Sequence, residues 1–205
     1  MELTHTMFVQ RFSGVLSSLL LLVGFALCLV SASPSQAAEP SSRELNSGWQ
    51  FRAVANAEQA AVKEWHPARV PGVVQTDLLD NKLIADPFDR DNEFRLQWIG
   101  LADWEYRTTL NVDAATLTHE HVDLVFEGLD TYATVRLNGQ QILEADNMFR
   151  RWRVPVKGVL HSGANELTVS FASPIRRLLP GTLKRAYQLP GEFDSAFGEI
   201  GRAHV

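Results

Sequence analysis

An alternation of apolar and polar residues with a period of two constrains the fold of this chain more than any other feature. A β-strand points successive side chains to opposite faces, so this period indicates strands with one buried face. The alternating segments are Tyr106 to Val112, Val122 to Phe126, Ala133 to Leu137, Gln141 to Leu143 and Glu166 to Phe171. We therefore expect an all-β fold.

Turn residues between these segments indicate antiparallel pairing. Asn138-Gly139 is a residue pair that two-residue hairpins favour, because both central positions of the turn need a positive φ. The strands on either side of it should therefore be antiparallel neighbours. A second turn signal, Ser162 to Asn165, precedes Leu167, Val169 and Phe171, which share one face and are expected in the core.

Helical signals are brief. Ala57 to Trp65 is predicted to form a short helix, and Thr76 to Leu79 a helical turn with Thr76 as its cap. Trp49 and Phe51 are the first alternating aromatic pair, so the fold is expected to start there. Many short strands with few helices predict an antiparallel jelly-roll β-sandwich with short helical turns.

The N-terminal segment has the features of a secretory signal peptide. Val15 to Val30 is uncharged, follows Arg11, and precedes the small-residue stretch Ser31 to Ala38. It is shorter than the roughly 20 residues that a membrane span needs, so residues 1–38 are expected to be removed after Ala37 or Ala38 and the product secreted or periplasmic. The alternative is an uncleaved anchor.

Cysteine content and net charge exclude several classes of site and partner. The only cysteine, Cys28, lies in the signal segment, so the mature chain can form neither a disulfide nor a cysteine-ligated metal site. The formal net charge of -5, without a basic stripe, argues against nucleic acid or an anionic membrane as partner. A neutral ligand such as a sugar is compatible with this net charge. Residues 39–198 are long enough for one domain.

Ordered motifs then link the chain to a family. They are Val70-Pro71-Gly72, Thr76-Asp77-Leu78-Leu79, Asp86-Pro87-Phe88, Arg90-Asp91-Asn92-Glu93, Gln97-Trp98-Ile99, Asp103-Trp104-Glu105-Tyr106, Phe126-Glu127-Gly128-Leu129-Asp130-Thr131-Tyr132-Ala133, Leu137-Asn138-Gly139 and Asp146-Asn147-Met148-Phe149. In this order they resemble the N-terminal domain of β-mannosidases in glycoside hydrolase family 2.

The resemblance implies a galactose-binding-like jelly roll that precedes immunoglobulin-like and (β/α)₈-barrel domains. Retaining glycosidases use two carboxyl groups about 5 Å apart, and in this family both lie on the barrel. We therefore assign no catalytic residue, cofactor or metal ligand to this chain. The expected partners are β-mannoside oligosaccharides and the later domains of the same enzyme.

One polar cluster is a candidate for contact with substrate. Asp91, Asn92, Glu93 and Trp98 combine hydroxyl-binding groups with an aromatic face, which is how proteins bind sugars. Related enzymes extend a loop of this domain to the active-site entrance. The alternative is local: Arg90 and Asp91 pair, Asn92 closes a turn and Trp98 packs in the core.

Three other polar groups have simpler interpretations. Asp130-Thr131-Tyr132 could line a groove or fix a turn between strands. His119 and His121 have the spacing of zinc ligands but no third ligand nearby, which favours solvated side chains. The pairs Arg176-Arg177 and Lys184-Arg185 indicate a solvated face or an interface to later domains.

The C-terminal segment departs from the family pattern. Glu199 to Val205 matches one reading frame of a common sequencing adapter, so we expect native sequence to end near Gly198. The leading functional hypothesis is a fragment of a secreted exo-β-mannosidase that removes terminal β-mannose. The alternatives are a free-standing carbohydrate-binding module, a jelly-roll interaction module, or part of a family 2 exo-glucosaminidase or galactosidase.

Overall fold

A computed structural model describes residues 41–55, 60–182 and 184 of the chain. The predicted signal peptide with Cys28, the predicted non-native tail and Arg185 lie outside the described residues. The strands are β1 (Gln50–Ala55), β2 (His66–Pro67), β3 (Asp103–Val112), β4 (Asp123–Phe126), β5 (Tyr132–Leu137), β6 (Gln140–Ala145), β7 (Trp152–Pro155) and β8 (Gly163–Ala172). The α-helices are α1 (Val74–Asp80), α2 (Asn92–Arg95), α3 (Trp98–Leu101) and α4 (Pro174–Thr182), and 3-10 turns span Ala60–Lys63 and Thr116–Thr118.

Antiparallel pairing organises the strands into two sheets. The larger has the order β2-β1-β3-β8-β5-β6, and β4 pairs with β7 in the smaller. Leu124, Phe126, Trp152 and Val154 of the smaller sheet pack against the core on the larger one. The prediction of an antiparallel all-β fold is confirmed.

The core follows the period-two pattern. In β3 the buried residues are Trp104, Tyr106, Thr108, Leu110 and Val112, which alternate with less buried ones. Leu167, Val169 and Phe171 of β8 are buried on the same sheet, as predicted. Tyr106 pairs with Val169 and Trp104 with Phe171, so the two strands contribute neighbouring side chains to one core.

The predicted hairpin joins β5 to β6. Asn138 has φ +52° and Gly139 has φ +80°, and Val135 pairs with Leu143 across the two strands. Both turn residues therefore adopt the positive φ that the sequence indicated, and the antiparallel pairing is confirmed.

The helical predictions are less accurate. α1 forms where a helical turn was expected, but Val73 is its N-cap, and Thr76 lies inside the helix with its hydroxyl donated to the carbonyl of Val73 at 2.8 Å. The prediction of Thr76 as the cap is therefore wrong. In the segment predicted as a helix from Ala57, the described part contains a 3-10 turn. Of the second predicted turn, Ser162 to Asn165, the last three residues belong to β8, which begins at Gly163.

A buried amide ties the hairpin to the start of β8. Asn165 is fully buried, and its Oδ1 accepts hydrogen bonds from Nδ2 of Asn138 at 2.8 Å and from the backbone N–H of His161 at 3.0 Å. Its Nδ2 donates to the carbonyls of His161 at 2.7 Å and Gly163 at 3.0 Å. One side chain thus satisfies several backbone groups that the chain reversal removes from water.

A buried acid ties α1 to the central sheet. Asp77, 2% exposed, accepts hydrogen bonds at 2.9 Å from the Tyr106 hydroxyl and at 2.9 Å from the backbone N–H of Arg69. Burial raises the pKa of the Asp77 carboxyl, and burial together with the neighbouring Asp77 charge raises the pKa of the Tyr106 hydroxyl well above its usual range. Tyr106 therefore remains a donor.

Replacing Asn165 by leucine should lower the free energy of unfolding of the chain by about 2–4 kcal/mol, because it leaves several buried polar groups without partners. Urea unfolding measures this change. Gln141→Leu, at an exposed position of β6, is the matched control and should change stability by less than about 0.5 kcal/mol. Equal effects of the two substitutions would contradict the role of Asn165.

Asp77 should give the folded chain a specific dependence on pH. Because its folded pKa is raised, the folded state holds this proton more tightly, and the contribution of Asp77 to stability is lost as pH rises from its ordinary pKa of 3.8 through the raised value. The Asp77→Asn variant should not lose stability in this pH range, because its amide side chain does not titrate. Urea unfolding across pH should show wild type losing stability relative to Asp77→Asn as pH rises, and a difference that stays constant would refute the assignment.

Candidate functional site

Strand register brings several loops to one end of the larger sheet, named here the Ala172 end. Ala172 at the end of β8 pairs with Tyr132 at the start of β5, and Phe171 pairs with Trp104 near the start of β3. Ala145 at the end of β6 pairs with Ala133. The segments that lead into β3 and β5 and those that follow β6 and β8 therefore adjoin this end.

The candidate residues lie in the segment 86–98, named here the site loop. Asp86 organises its first half: its Oδ1 accepts the backbone N–H of Phe88 at 2.9 Å, and its carbonyl accepts Nδ2 of Asn92 at 2.8 Å. Arg90 has φ +55°, in the left-handed region. Asn92 therefore closes this turn from within α2, which matches the local interpretation of that residue.

The charged candidates face solvent. Asp91 pairs with Arg95, one helical turn later, at 3.0 Å, and both side chains are exposed. Such a pair stabilises a helix by less than about 1 kcal/mol, so it leaves the Asp91 carboxylate accessible. Glu93 is exposed too, and its backbone carbonyl accepts Nε2 of Gln97 at 3.1 Å and the backbone N–H of Leu96 at 3.2 Å.

Trp98 differs from the other candidates because it packs inward. Its ring lies 6.0 Å from that of buried Trp104, and its Nε1 is buried without a hydrogen-bond partner among the described residues. By contrast, Nε1 of Trp104 donates to the carbonyl of Ile99 at 3.0 Å. Asp91, Asn92 and Glu93 thus follow one another at the start of α2, where Asp91 and Glu93 are exposed, while Trp98 packs against the core.

Ser173 and helix α4 hold helix α3, which follows the site loop. The Ser173 hydroxyl donates to the carbonyl of Gly100 at 2.6 Å, and Nε of Arg176 donates to the carbonyl of Leu101 at 2.7 Å. The Ser173 N–H and the Arg176 guanidinium both bind Asp103 at the start of β3. These bonds join α3, the start of β3 and the end of β8, so the segment directly after the site loop is fixed.

Two phenylalanines that the sequence-based selection missed flank the acidic candidates. Phe88 is 96% exposed and Phe94 is 78% exposed. Aromatic faces beside carboxylates and an amide can stack on the C–H face of a sugar while the polar groups bind its hydroxyls. The motif Asp-Pro-Phe contained the signal for Phe88, whereas exposure of Phe94 depends on the orientation of α2.

The site loop presents open surface. Phe88, Asp91 and Phe94 are exposed, so they can contribute one wall of a site. A separate small cavity, lined by residues that include Val74, Trp104, Asp130 and Ser173 and by no residue of the site loop, holds about 10 Å³, which is room for one water molecule and not for a sugar ring.

The other polar groups have structural contacts. Asp130 is buried and its Oδ1 accepts the Thr131 hydroxyl, while Tyr132 lies 4.2 Å beneath the Arg177 guanidinium. His119 and His121 are exposed, and the described residues contain no group of three potential metal ligands. Within the described part of the chain, none of the helices is both long and apolar enough to cross a membrane.

Comparisons with known proteins agree with this architecture. The chain is 44% identical over 135 residues to β-mannosidase B of Thermothelomyces thermophilus, which covers 65% of the chain and 15% of that protein. It is 38% identical over 109 residues to the β-mannosidase of Bos taurus, covering 53% of the chain and 12% of that protein. The chain therefore spans only about 15% of the length of such relatives.

Solved structures show the same similarity. The β-D-mannosidase of Dictyoglomus thermophilum superposes with a TM-score of 0.69 at 34% identity, over 79% of this chain and 21% of that one. An exo-chitosanase of Amycolatopsis orientalis gives a TM-score of 0.55 at 22% identity, over 65% of this chain and 17% of that one, and so shares the fold.

Residues 49–205 match the family described as the galactose-binding domain-like region of glycosyl hydrolase 2. This match covers all eight described strands and confirms the resemblance inferred from the ordered motifs. The chain belongs to this glycosyl hydrolase 2 family of galactose-binding-like domains.

Proposed function

We propose that this chain is the N-terminal domain of an exo-β-mannosidase that removes terminal β-D-mannose from oligosaccharides with retention of configuration. The observation that carries the proposal is the similarity to β-mannosidases in both sequence and structure, at 44% and 34% identity. The exo-chitosanase, at 22% identity, supports the fold alone.

The domain's part in the reaction is to position substrate. Glycosidic-bond cleavage with retention needs a nucleophilic carboxylate and an acid/base carboxyl group held about 5 Å apart across the scissile bond. We place that pair on the part of the enzyme outside this chain, since the matched 135 residues make up only 15% of the relative. The buried acid Asp77 is bonded to Tyr106 and Arg69, so it stabilises the fold and does not face substrate.

The site loop is the part of this domain that we place at the substrate. Asp91 and Glu93 are exposed acceptors, Asn92 is held by its bond to the carbonyl of Asp86, and Trp98 anchors the end of the loop against Trp104. Carboxylates at such positions accept hydrogen bonds from sugar hydroxyls. The bonds of Asp86 fix the first half of the loop, and those from Ser173 and Arg176 fix α3 directly after it, which limits the entropy lost on binding.

We further propose that the enzyme is exported. The support is the uncharged segment from Val15 to Val30 and the small residues that follow it. N-terminal sequencing of the secreted protein should find a start at Ala38 or Glu39, and a start at Met1 would contradict removal of the segment.

The full-length enzyme should release mannose from an aryl β-mannoside, with β-mannose as the first product detected by NMR. The 205-residue chain alone should show no hydrolysis, because it lacks the carboxylate pair. Matched aryl β-galactoside and β-glucosaminide are the controls. Preferential cleavage of either control substrate would overturn the mannosidase proposal while leaving the domain family unchanged.

Substitution in the site loop should weaken catalysis by the full-length enzyme. Asp91→Asn and Glu93→Gln each remove a charged acceptor, so kcat/KM for a mannoside should fall about 10-fold to 100-fold. Glu120→Gln, an exposed carboxylate beyond the far end of β3, is the matched control and should leave kcat/KM unchanged. If kcat/KM is unchanged in both loop variants, the loop does not contact the substrate.

A further inference from the structure

The turn between β5 and β6 contains two residues that can react with each other, Asn138 and Gly139. The backbone nitrogen of a residue can attack the side-chain amide carbon of a preceding asparagine, and glycine leaves that nitrogen accessible because it has no Cβ. Both residues are exposed, and both have a positive φ. Their position therefore raises the question of whether the turn undergoes deamidation, a modification that needs water but no enzyme.

The reaction has two steps. The Gly139 nitrogen forms a bond to Cγ of Asn138, the bond from Cγ to Nδ2 breaks, and Nδ2 leaves as ammonia with the proton that the Gly139 nitrogen loses. A five-membered succinimide ring remains. Water then opens this ring and gives aspartate or isoaspartate at position 138, so water is the single co-reactant.

Three hydrogen bonds hold the amide group on which this reaction depends. Nδ2 of Asn138 donates to Oδ1 of Asn165 at 2.8 Å and to the carbonyl of Val159 at 2.9 Å. Its Oδ1 accepts the backbone N–H of Glu166 at 3.0 Å. Turning Cγ toward the Gly139 nitrogen breaks these bonds, so the amide can react only when the network opens.

The backbone of the turn is held as well. The backbone N–H of Asn138 donates to the carbonyl of Glu166 at 2.8 Å, and Leu137 pairs with Gln140 across the hairpin. These contacts restrict the rotation that would bring the Gly139 nitrogen to Cγ. Side chain and backbone therefore both oppose closure of the succinimide ring.

Asn165 is the partner side chain that orients this network. It is fully buried, and its Nδ2 donates to the carbonyls of His161 and Gly163. A carbonyl oxygen can only accept, so these bonds place the NH₂ group of Asn165 there and leave its Oδ1 facing Nδ2 of Asn138. The acceptor for Asn138 is thus fixed by other parts of the fold.

Deamidation would reverse the chemistry of this contact. An ionised aspartate at position 138 has acceptor oxygens and no donor, so it would face the Oδ1 of Asn165 and the carbonyl of Val159 without a hydrogen to share. Isoaspartate would also add one carbon to the backbone within a two-residue turn, which disturbs the register of β5 with β6. Either product would weaken the attachment of the hairpin to β8.

We propose that Asn138 is a latent deamidation site, which the fold keeps unreactive through Asn165 and whose modification releases the β5–β6 hairpin from the start of β8. The proposal concerns this chain alone. It holds whatever substrate the full-length enzyme cleaves.

The first test compares the folded 205-residue chain with the same chain in guanidinium chloride, both incubated at alkaline pH, which favours attack by the Gly139 nitrogen. Peptide mapping by mass spectrometry should show that Asn138 converts at least about 10-fold more slowly in the folded chain. Asn46 is exposed and precedes a serine, so it is the internal control and should convert at similar rates in both states. Equal rates for Asn138 in the two states would overturn the proposal.

The second test removes the acceptor. Asn165→Leu should raise the rate of Asn138 conversion in the folded chain at least about 10-fold over wild type. Leu78→Ala, at a buried position in α1, is the matched control for general destabilisation and should raise it much less. The same acceleration in both variants would show that overall stability protects Asn138, and would contradict the role of Asn165.

The third test installs the product directly and does not depend on the folding of Asn165→Leu. Asn138→Asp should lower the Tm of the chain by about 3 °C or more, because a carboxylate replaces the donor that Asn165 and Val159 bind. Gln140→Glu makes the same exchange of amide for carboxylate at an exposed position of this hairpin and should leave the Tm unchanged. An unchanged Tm for Asn138→Asp would refute release of the hairpin by deamidation.

Discussion

The pairing of β3 with β8 supports the rest of this domain. These ten-residue strands pair from Trp104 with Phe171 to Val112 with Gly163, and every other residue of each points into one core. A shift of β8 by one residue would turn Val169 outward while Tyr106 stayed in the core, so the apolar pattern fixes the register. That register in turn fixes which loops emerge together at the Ala172 end, and so determines where a site can form.

Buried polar groups add specificity to this apolar frame. Asn165 binds Asn138 and the backbone around the start of β8, and Asp77 joins α1 to Tyr106 at the centre of β3. At the other end, Ser173 and Arg176 join α4 to the loop before β3. Each polar group is satisfied in one arrangement of its neighbours, which favours a unique packing over alternatives of similar apolar burial.

The sequence predicted the strands whose pattern is local and missed elements that depend on distant partners. Period two and Asn138-Gly139 indicated the central strands and their hairpin, but β2 consists of two residues that are extended because they pair with β1. Helix α4 contains Pro180, which argues against a helix in sequence, and its bonds to Gly100 and Leu101 help to hold it. At the site, motifs identified Asp91, Asn92 and Glu93, whereas the exposure of Phe94 follows from the orientation of α2, which no periodicity encodes.

In the proposed function, this domain is one wall of a site that later domains complete. A site loop with exposed carboxylates and flanking phenylalanines, followed by a helix that Ser173 holds, suits that role. Calorimetric titration of the 205-residue chain with mannobiose, after circular dichroism shows that the chain is folded, tests this most directly. We expect no saturable heat at millimolar mannobiose; saturable binding would contradict the one-wall role and identify the chain as a self-sufficient carbohydrate-binding module.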